Sequence, residues 1–275
     1  LYLFANIFGQ ERSFQIYNAD GNRVSYRMMS YSAGKADIVL FGENHNDPIS
    51  HWLQLELTKS LFEEHGENLM LGAEMIESDN QVVLDEYLLG FIREKDFEKE
   101  AKIWPNHKTD YRPLLRFAKD NDLHFVATNI PRRFANMVYR FGVDTLAYLP
   151  EASKQFIAPL PMAYDTSLHC YKEISIMAGG HGGENLPKSQ AIKDATMAHF
   201  IHANMKEDTK FIHYHGSYHS KYYETIMWYL LQLNADLNIK TIEVVEQEDI
   251  SRFDDELLGN ADFFIVVDED MCKTH

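Results

Sequence analysis

Short apolar runs recur along the chain, and segments with helical periodicity separate them. The runs show little polar alternation, which is typical of parallel strands covered on both faces. They predict strands at Ile38–Phe41, Asn68–Ala73, His124–Thr128, Lys210–Tyr214, Lys240–Val245 and Phe263–Val267. Strands that alternate with helices imply right-handed crossover connections. We therefore predict an α/β fold with a mostly parallel sheet flanked by helices, in a single domain over residues 1–275.

The segments between the strands carry the helix signals. Asp47 is a suitable N-cap, and Pro48 fits the first turn of a helix that runs to about His65. Further helices are predicted at Asn80–Leu89, Arg112–Lys119, Arg133–Phe141, Ser189–Met205 and Tyr222–Leu233. Before the first of these strands, Asp20-Gly21 lies between two alternating runs, so a β-hairpin is predicted over residues 12–28.

Two stretches depart from this alternation. Residues 91–112 are rich in charge and contain Trp104-Pro105, which favours a helical insert with an irregular connection. Residues 142–188 contain four prolines and the glycine-rich loop 179–183, a composition that suits a mobile lid or a surface connection. With the helix that follows the loop, we predict that 91–112 and 142–205 form a helical insert or lid subdomain.

Composition and charge narrow the classes of partner. The chain has 275 residues, of which 45% are hydrophobic and 13% aromatic, enough for a substantial core. Its formal charge of −16 argues against a nucleic-acid partner, because phosphate binding needs clustered cations. The 13 histidines make metal chemistry worth testing. Cys170 and Cys272 are too few for a disulfide framework, and whether they form one bridge stays open.

The first ten residues are apolar, unlike the charged segment that follows them. Two interpretations are open: the end of a secretory signal's apolar region, or an N-terminal arm that packs on the body of the protein. The first interpretation would make this an exported protein. The apolar stretches of the chain are too short to span a bilayer.

One short motif occurs twice, each time directly after an apolar strand. Gly42-Glu43-Asn44-His45 follows the first of the predicted parallel strands, and Gly216-Ser217-Tyr218-His219 follows the fourth. In parallel sheets, ligands bind outside the carboxyl ends of the strands. Both histidines are therefore expected in one pocket, where neutral imidazoles suit a divalent metal or general-base chemistry. The alternative for each is a structural histidine hydrogen-bonded to a carboxylate.

Other strand ends bring polar side chains to the same edge of the sheet. Glu43 and Glu74 can complete a metal site or orient the histidines, or else form salt bridges. Asn129 and Arg132 can recognise a carboxylate or phosphate, or hold a loop in place. His215 precedes the second glycine and is a better site candidate than His213, which lies earlier in the strand. Four strands thus predict one ligand-binding edge.

The ordered set of motifs resembles the ChaN-type haem-binding lipoproteins. The residues that carry the resemblance are Gly42-Glu43-Asn44-His45, Gly72-Ala73-Glu74-Met75, Gln81 with Asp85-Glu86-Tyr87-Leu88, Asn129-Ile130-Pro131-Arg132, Gln190 with Lys193-Asp194-Ala195-Thr196-Met197-Ala198, and Gly216-Ser217-Tyr218-His219. The similarity runs from about residue 37 to 245. The wider superfamily includes the Tiki metalloproteases and the erythromycin esterases, which resemble the chain in the twin Gly-x-x-His and the strand-end glutamate.

The resemblance to ChaN implies a haem- or iron-binding protein of iron uptake at the bacterial envelope. Proteins of this type can hold haem at a dimer interface through a tyrosine. The resemblance therefore implies an exported protein, periplasmic or associated with the outer membrane, with a homodimer on ligand binding and an outer-membrane uptake partner. Tyr164 and Tyr171, in the irregular segment, are the candidate haem ligands.

The other branches of the superfamily imply a metal-dependent hydrolase as the alternative. Its catalytic residues would be Glu43, His45, Glu74 and His219, with His45, Glu74 and His219 as ligands of a divalent metal ion. The ion would lower the pKa of a bound water to about 7, and the remaining carboxylate would take its proton. A third interpretation is a non-catalytic module that binds a partner through residues 142–188.

Overall fold

A computed structural model of the chain describes residues 13–177 and 183–275. Its strands are β1 (Phe14–Asn18), β2 (Ile38–Glu43), β3 (Leu69–Glu77), β4 (Phe125–Asn129), β5 (Lys210–Gly216), β6 (Ile239–Gln247) and β7 (Phe263–Asp268). They form one seven-stranded sheet in the order β1-β7-β6-β2-β5-β3-β4. Neighbouring strands pair in parallel, except that β1 is antiparallel to β7. The predicted α/β fold with a mostly parallel sheet is confirmed.

Helices cover both faces of this sheet. They are α1 (Tyr26–Gly34), α2 (Pro48–His65), α3 (Gln81–Leu88), α4 (Glu94–Glu100), α5 (Arg112–Asp120), α6 (Arg132–Phe141), α7 (Glu151–Lys154), α8 (His169–Met177), α9 (Asn185–Asn204) and α10 (Ile226–Leu233). The predicted start of α2 is confirmed, because Asp47 accepts a hydrogen bond from the backbone N–H of Ser50 at 2.7 Å. Within the described residues, no helix is both long and apolar enough to cross a membrane.

The sheet separates two apolar cores, which explains why its strands lack polar alternation. Val39 and Phe41 of β2 pack in the core with α1, α2, α3, α4 and α5. Ile38 and Leu40 of the same strand pack against α6, α9 and α10. Since both faces of β2 are covered, apolar side chains are required on both. Polar side chains are therefore concentrated where the strands end.

The N-terminal hairpin is present only as a short chain reversal. Tyr17 forms an antiparallel bridge with Arg23, as the Asp-Gly turn predicts. The predicted second strand is cut short, because Ser25 accepts a hydrogen bond from the backbone N–H of Met28 at 3.2 Å and caps α1. The strand that pairs along the whole of β1 is β7. Residue 12 of the predicted hairpin lies outside the described residues.

The two predicted insert segments have different structures. Within 91–112, α4 is followed by an irregular connection that carries Trp104. Within 142–205, short helical turns and α8 come first. Residues 178–182, which include most of the glycine-rich loop, lie outside the described residues. The last helix of the segment corrects the lid prediction. Ten residues of α9 are buried. Five of them belong to the core on one face of the sheet, so α9 is part of the helical layer: Ile192, Ala195, Met197, Ala198 and Ile201.

Candidate functional site

The two Gly-x-x-His motifs pack directly against each other at the carboxyl edge of the sheet. Strands β2 and β5 are neighbours, and Glu43 lies opposite Gly216. A Cβ atom on Gly42 would lie 2.9 Å from the Cα atom of Ser217. A Cβ atom on Gly216 would lie 2.8 Å from Nε2 of His45. Each glycine thus makes room for the other motif.

Glu43 is a buried carboxylate that holds the His45 ring in place. Its Oε1 atom contacts Nδ1 of His45 at 2.9 Å and accepts from the Tyr111 hydroxyl at 2.6 Å. Its Oε2 atom accepts from the Gln54 amide. Burial would raise the pKa of Glu43, but the hydrogen bond from His45 and the nearby His51 ring outweigh it and lower the pKa to about 2. Glu43 therefore stays ionised and orients His45.

His45 remains available to a ligand. Its Nδ1 atom is occupied by Glu43, whereas Nε2 has no hydrogen-bond partner among the described residues. The ring packs edge-on to Trp104, with 4.8 Å between centroids. Burial would lower the pKa of His45, but the hydrogen bond to Glu43 and the nearby Glu74 outweigh it and raise the pKa. One ring nitrogen is thus free to bind a metal or to exchange a proton.

His219 is held between two buried carboxylates. Its Nδ1 atom contacts Oδ1 of Asp194 in α9, and its Nε2 atom lies 3.3 Å from Oε1 of Glu74. The other Glu74 oxygen accepts from the backbone N–H of Gly216 at 3.0 Å. Burial would lower the pKa of His219, but Glu74 and Asp194 outweigh it and raise the pKa to about 10. At neutral pH this ring is an imidazolium with both N–H groups in use.

This pairing leaves the predicted metal site unassembled. Both ring nitrogens of His219 contact carboxylates. Within residues 13–177 and 183–275, no group of three or more His, Cys, Asp or Glu side chains is arranged to hold a metal ion. The predicted ligand set of His45, Glu74 and His219 is close in space but is arranged as ion pairs.

His215 lies beneath the site in a buried chain of polar groups. Its Nδ1 atom lies 3.0 Å from Nδ1 of His213, whose Nε2 atom lies 2.6 Å from the Thr128 hydroxyl. The Nε2 atom of His215 is buried and has no hydrogen-bond partner among the described residues. Burial, together with the charge on His219, lowers the pKa of His215 to about 3. His215 is therefore neutral, and it packs beneath the site through its contact with His213.

A cavity of about 980 Å³ opens above this edge of the sheet. That volume is at the upper end of the roughly 300–1,000 Å³ typical of ligand pockets. Its apolar and aromatic lining consists of Trp104, Ile130, Ala135, Tyr139, Tyr171, Ile174, Met177, Leu186 and Tyr218. Three large side chains of this lining are exposed at the mouth of the cavity: Tyr139 (42%), Met177 (62%) and Tyr218 (41%). The cavity combines a charged floor with an apolar rim.

The predicted ligand-binding residues differ in their access to this cavity. Asn129 and Arg132 line it. Tyr171 also lines it, but its hydroxyl donates to Oδ2 of Asp194 at 2.8 Å and burial raises its pKa well above the usual value. Tyr164 does not line the cavity; its ring packs against that of Tyr171, with 5.5 Å between centroids. Neither tyrosine presents a free phenolate to a ligand.

The sequence did not identify the contacts of several cavity residues. Asp194 is the most important, because it reaches from helix α9 to hold His219, which follows strand β5. Its signal was an acidic residue among the small and apolar side chains of α9. The rim residues Tyr139 and Tyr218 gave no distinct signal, since aromatic residues are frequent throughout the chain.

The C-terminal segment closes one side of the cavity. Lys273 pairs with Glu246, and the backbone N–H of Thr274 donates to the Asn46 carbonyl at 2.9 Å. These contacts bring His275 into the cavity lining. Cys272 at the start of this segment is exposed and Cys170 is buried, so both thiols are free.

Comparison with solved structures shows the same fold in proteins of low sequence identity. A structure of cofacial haem binding to ChaN of Campylobacter jejuni superposes with a TM-score of 0.71, at 18% identity, over 94% of this chain and 98% of that one. A succinoglycan biosynthesis protein gives 0.54 at 12% identity, over 93% of this chain and 94% of that one. An erythromycin esterase mutant gives 0.49 at 12% identity, over 94% and 83%, which is too distant to support an argument.

The family match is more informative than these superpositions. No curated protein matches the chain. The family model described as haem-binding uptake, Tiki superfamily, ChaN matches residues 29–230. That span contains both Gly-x-x-His motifs, Glu74, Asp194 and Arg132. The chain therefore belongs to the ChaN haem-binding uptake family of the Tiki superfamily.

Proposed function

We propose that this chain binds haem in the cavity at the carboxyl edge of its sheet. The observation that carries the proposal is the composition of that cavity in a chain of the ChaN family: an apolar, partly exposed aromatic rim above a floor of ionised groups. A tetrapyrrole has a large apolar face and an ionised edge, so it needs both kinds of surface. The earlier alternative of a partner-binding lid at 142–188 lacks such an observation.

The axial ligand of the iron is proposed to come from the cavity rim. Haem iron accepts tyrosine and histidine ligands. Tyr218 is the preferred candidate, because it belongs to the second Gly-x-x-His motif and its hydroxyl makes only a 3.6 Å contact with the Met177 sulfur. Tyr139 is the second candidate on grounds of exposure. Tyr171 is less suitable because Asp194 and burial keep it a phenol.

Haemin titration followed at the Soret band tests this function. We expect a saturable shift at near-stoichiometric haem, and loss of the tyrosinate charge-transfer band in Tyr218→Phe. Tyr148→Phe is the matched control, because Tyr148 is 88% exposed and lies outside the cavity lining. The absence of any saturable Soret shift in the unmodified protein would contradict haem binding. An unchanged spectrum in Tyr218→Phe, with a changed one in Tyr139→Phe, would move the ligand to α6.

We propose further that two copies of the chain associate when haem binds. The exposed Tyr139, Met177 and Tyr218 surround the cavity mouth and offer apolar surface for a second copy to cover. Light scattering with and without one equivalent of haemin measures the mass directly. A monomer at saturation would refute this part while leaving haem binding intact.

The cellular setting follows from the same proposal. A haem-uptake role requires export to the bacterial envelope, in the periplasm or at the outer membrane, and an outer-membrane uptake partner. The apolar first ten residues fit a secretory signal, and they lie outside the described residues. Fractionation of cells that produce the tagged full-length protein would locate it, and recovery in the cytoplasm alone would contradict the proposal.

A hydrolase is the second candidate, and one observation favours it. His45 has a carboxylate on Nδ1 and a free Nε2 in the cavity, which is the arrangement of a general base. Because the pKa of His45 is raised, such an activity would increase as the pH rises through that pKa. Ester and peptide hydrolysis before and after His45→Ala tests it, with and without added divalent metal. Activity that survives the substitution would exclude His45 from the mechanism.

A further inference from the structure

The charged residues that line the cavity are unequally partnered. Each carboxylate contacts a histidine or a lysine: Glu43 contacts His45, Glu74 and Asp194 share His219, Glu77 lies 3.1 Å from Lys102, and Glu246 pairs with Lys273. Two cations in the same lining, Arg132 and Lys193, have no ion pair or side-chain hydrogen bond within the part of the chain that the structure describes. Among the described residues, Arg132 and Lys193 are therefore the lining cations without a direct partner, and Lys193 acts on Glu74 only from a longer distance, where it helps to lower the pKa of that carboxyl.

Neighbouring cations on the same helices show that this is a local feature. Arg133 follows Arg132 in α6 and is paired with Asp79. Lys188 lies one and a half turns before Lys193 in α9 and sits 3.7 Å from Glu184. Carboxylates are thus available to cations on these helices outside the cavity. In a chain with a formal charge of −16, two unpaired cations facing one cavity stand out.

Each of the two helices adds an amide beside its cation. Asn136 lies four residues after Arg132 in α6, and Gln190 lies three residues before Lys193 in α9, spacings that put each pair on one helix face. Both amides line the cavity, and neither makes a side-chain hydrogen bond within the described residues. Arg132 is also the first residue of α6, where the helix dipole favours an anion.

The floor beside these residues contains a second unsatisfied group. Asn129 is 9% exposed and donates through Nδ2 to the Glu74 carbonyl at 3.0 Å. Its Oδ1 atom is buried and has no hydrogen-bond partner among the described residues. A buried polar atom without a partner is costly, which favours a ligand or water at this point. The unsatisfied groups of α6, α9 and β4 thus converge on one side of the cavity.

We propose that Arg132, Asn136, Gln190 and Lys193 form a subsite for the carboxylates of the ligand. The inference rests on the proposed haem function, in which these carboxylates are the two propionates of the porphyrin. Arg132 supplies a planar fork that matches a carboxylate, and Lys193 supplies a compact charge for the second one. Their role is to orient the ring and to offset the repulsion between an acidic protein and an anionic ligand.

Haem and its dimethyl ester, delivered from the same detergent, separate this subsite from iron ligation. Arg132→Gln and Lys193→Gln should each weaken binding of the free acid about tenfold, the usual effect of losing one charge-assisted hydrogen bond. Neither substitution should change binding of the ester. Iron-free protoporphyrin has no axial bond to the protein but keeps both propionates. It should therefore be weakened by the same two substitutions. Arg133→Gln and Lys188→Gln are the matched controls and should leave both affinities unchanged.

The outcomes distinguish this inference from the function on which it rests. Unchanged affinity for the free acid in both variants would overturn the subsite while haem binding stands. Equal loss for acid and ester would also overturn it, because that pattern indicates a structural defect. If the unmodified protein bound no porphyrin, the function would fail, and succinate and inorganic phosphate would then test the subsite alone. Thermal stabilisation by either anion, abolished in Arg132→Gln/Lys193→Gln, would support an anion-binding subsite whose ligand is not a porphyrin. If neither anion stabilised the protein, the subsite would be refuted.

Discussion

The two Gly-x-x-His motifs have the same spacing but opposite environments. The His45 side chain is 40% exposed and keeps Nε2 free, with its paired Glu43 beneath it. The His219 side chain is 10% exposed and uses both nitrogens on carboxylates. The first motif presents an imidazole to the cavity, whereas the second uses one to join the sheet edge to helix α9. A repeated motif therefore does not imply a repeated role.

The largest expected effect comes from removing the buried imidazolium. His219→Ala leaves Glu74 and Asp194 facing each other without a counter-charge, which should cost about 3–5 kcal/mol of unfolding free energy. His45→Ala is the matched comparison and should cost about 1 kcal/mol or less, since Glu43 keeps Tyr111, Gln54 and His51. Urea unfolding of both variants measures the difference. Equal losses would contradict the separation of roles.

A smaller effect is expected from filling the contact between the motifs. Gly42→Ala meets backbone, at the Cα atom of Ser217, whereas Gly216→Ala meets the end of the His45 ring. Overpacking costs about 1–3 kcal/mol, and we expect Gly42→Ala at the upper end because backbone cannot rotate away. Gly216→Ala should instead shift the His45 ring and its NMR titration. Equal stability of the two variants, with an unmoved His45 resonance, would refute the contact.

The smallest expected effect is on how the free energy of unfolding depends on pH, to which the two motifs contribute in different pH ranges. The pKa of His219 is raised to about 10, so its contribution is complete below the unfolded value near 6.5 and is lost as pH rises towards 10. The pKa of Glu43 is lowered to about 2, so its contribution is present above the unfolded value near 4.3 and is lost as pH falls towards 2. Each limb should have a slope of about 1.4 kcal/mol per pH unit.

Substitution assigns each limb to its motif. His219→Gln should flatten the alkaline limb and leave the acid limb intact, as measured by urea unfolding at a series of pH values. Glu43→Gln should do the reverse. An alkaline limb that persists in His219→Gln would show that another group controls it.

The sheet edge could be predicted from the sequence because its strands and glycines are determined by residues close together in the chain. Strands such as Ile38–Phe41 carry apolar side chains for both faces, and a glycine lies within the last two residues of each of the two strands that carry a motif. The convergence of Glu43, His45, Glu74 and His219 follows from parallel strands ending at one edge. These features need only short-range pattern and the general rule for parallel sheets.

The remaining features depend on contacts between distant parts of the chain. Asp194 reaches His219 from α9, and no local pattern shows which buried carboxylate faces which ring. With both carboxylates in place, the pKa of the second imidazole rises to about 10 and the ring is held in ion pairs. The second strand of the hairpin was predicted but is cut short, because the cap at Ser25 starts α1 where alternation alone favours a strand.

The two cysteines make the chain suitable for single-site labelling without any substitution. Burial raises the pKa of the Cys170 thiol, so it resists alkylation at neutral pH, whereas Cys272 is exposed. Cys272 precedes the C-terminal residues that close one side of the cavity. A maleimide fluorophore there would report an arriving chromophore by energy transfer. Ligand entry could then be timed in a chain without substitutions, independently of any change at the iron.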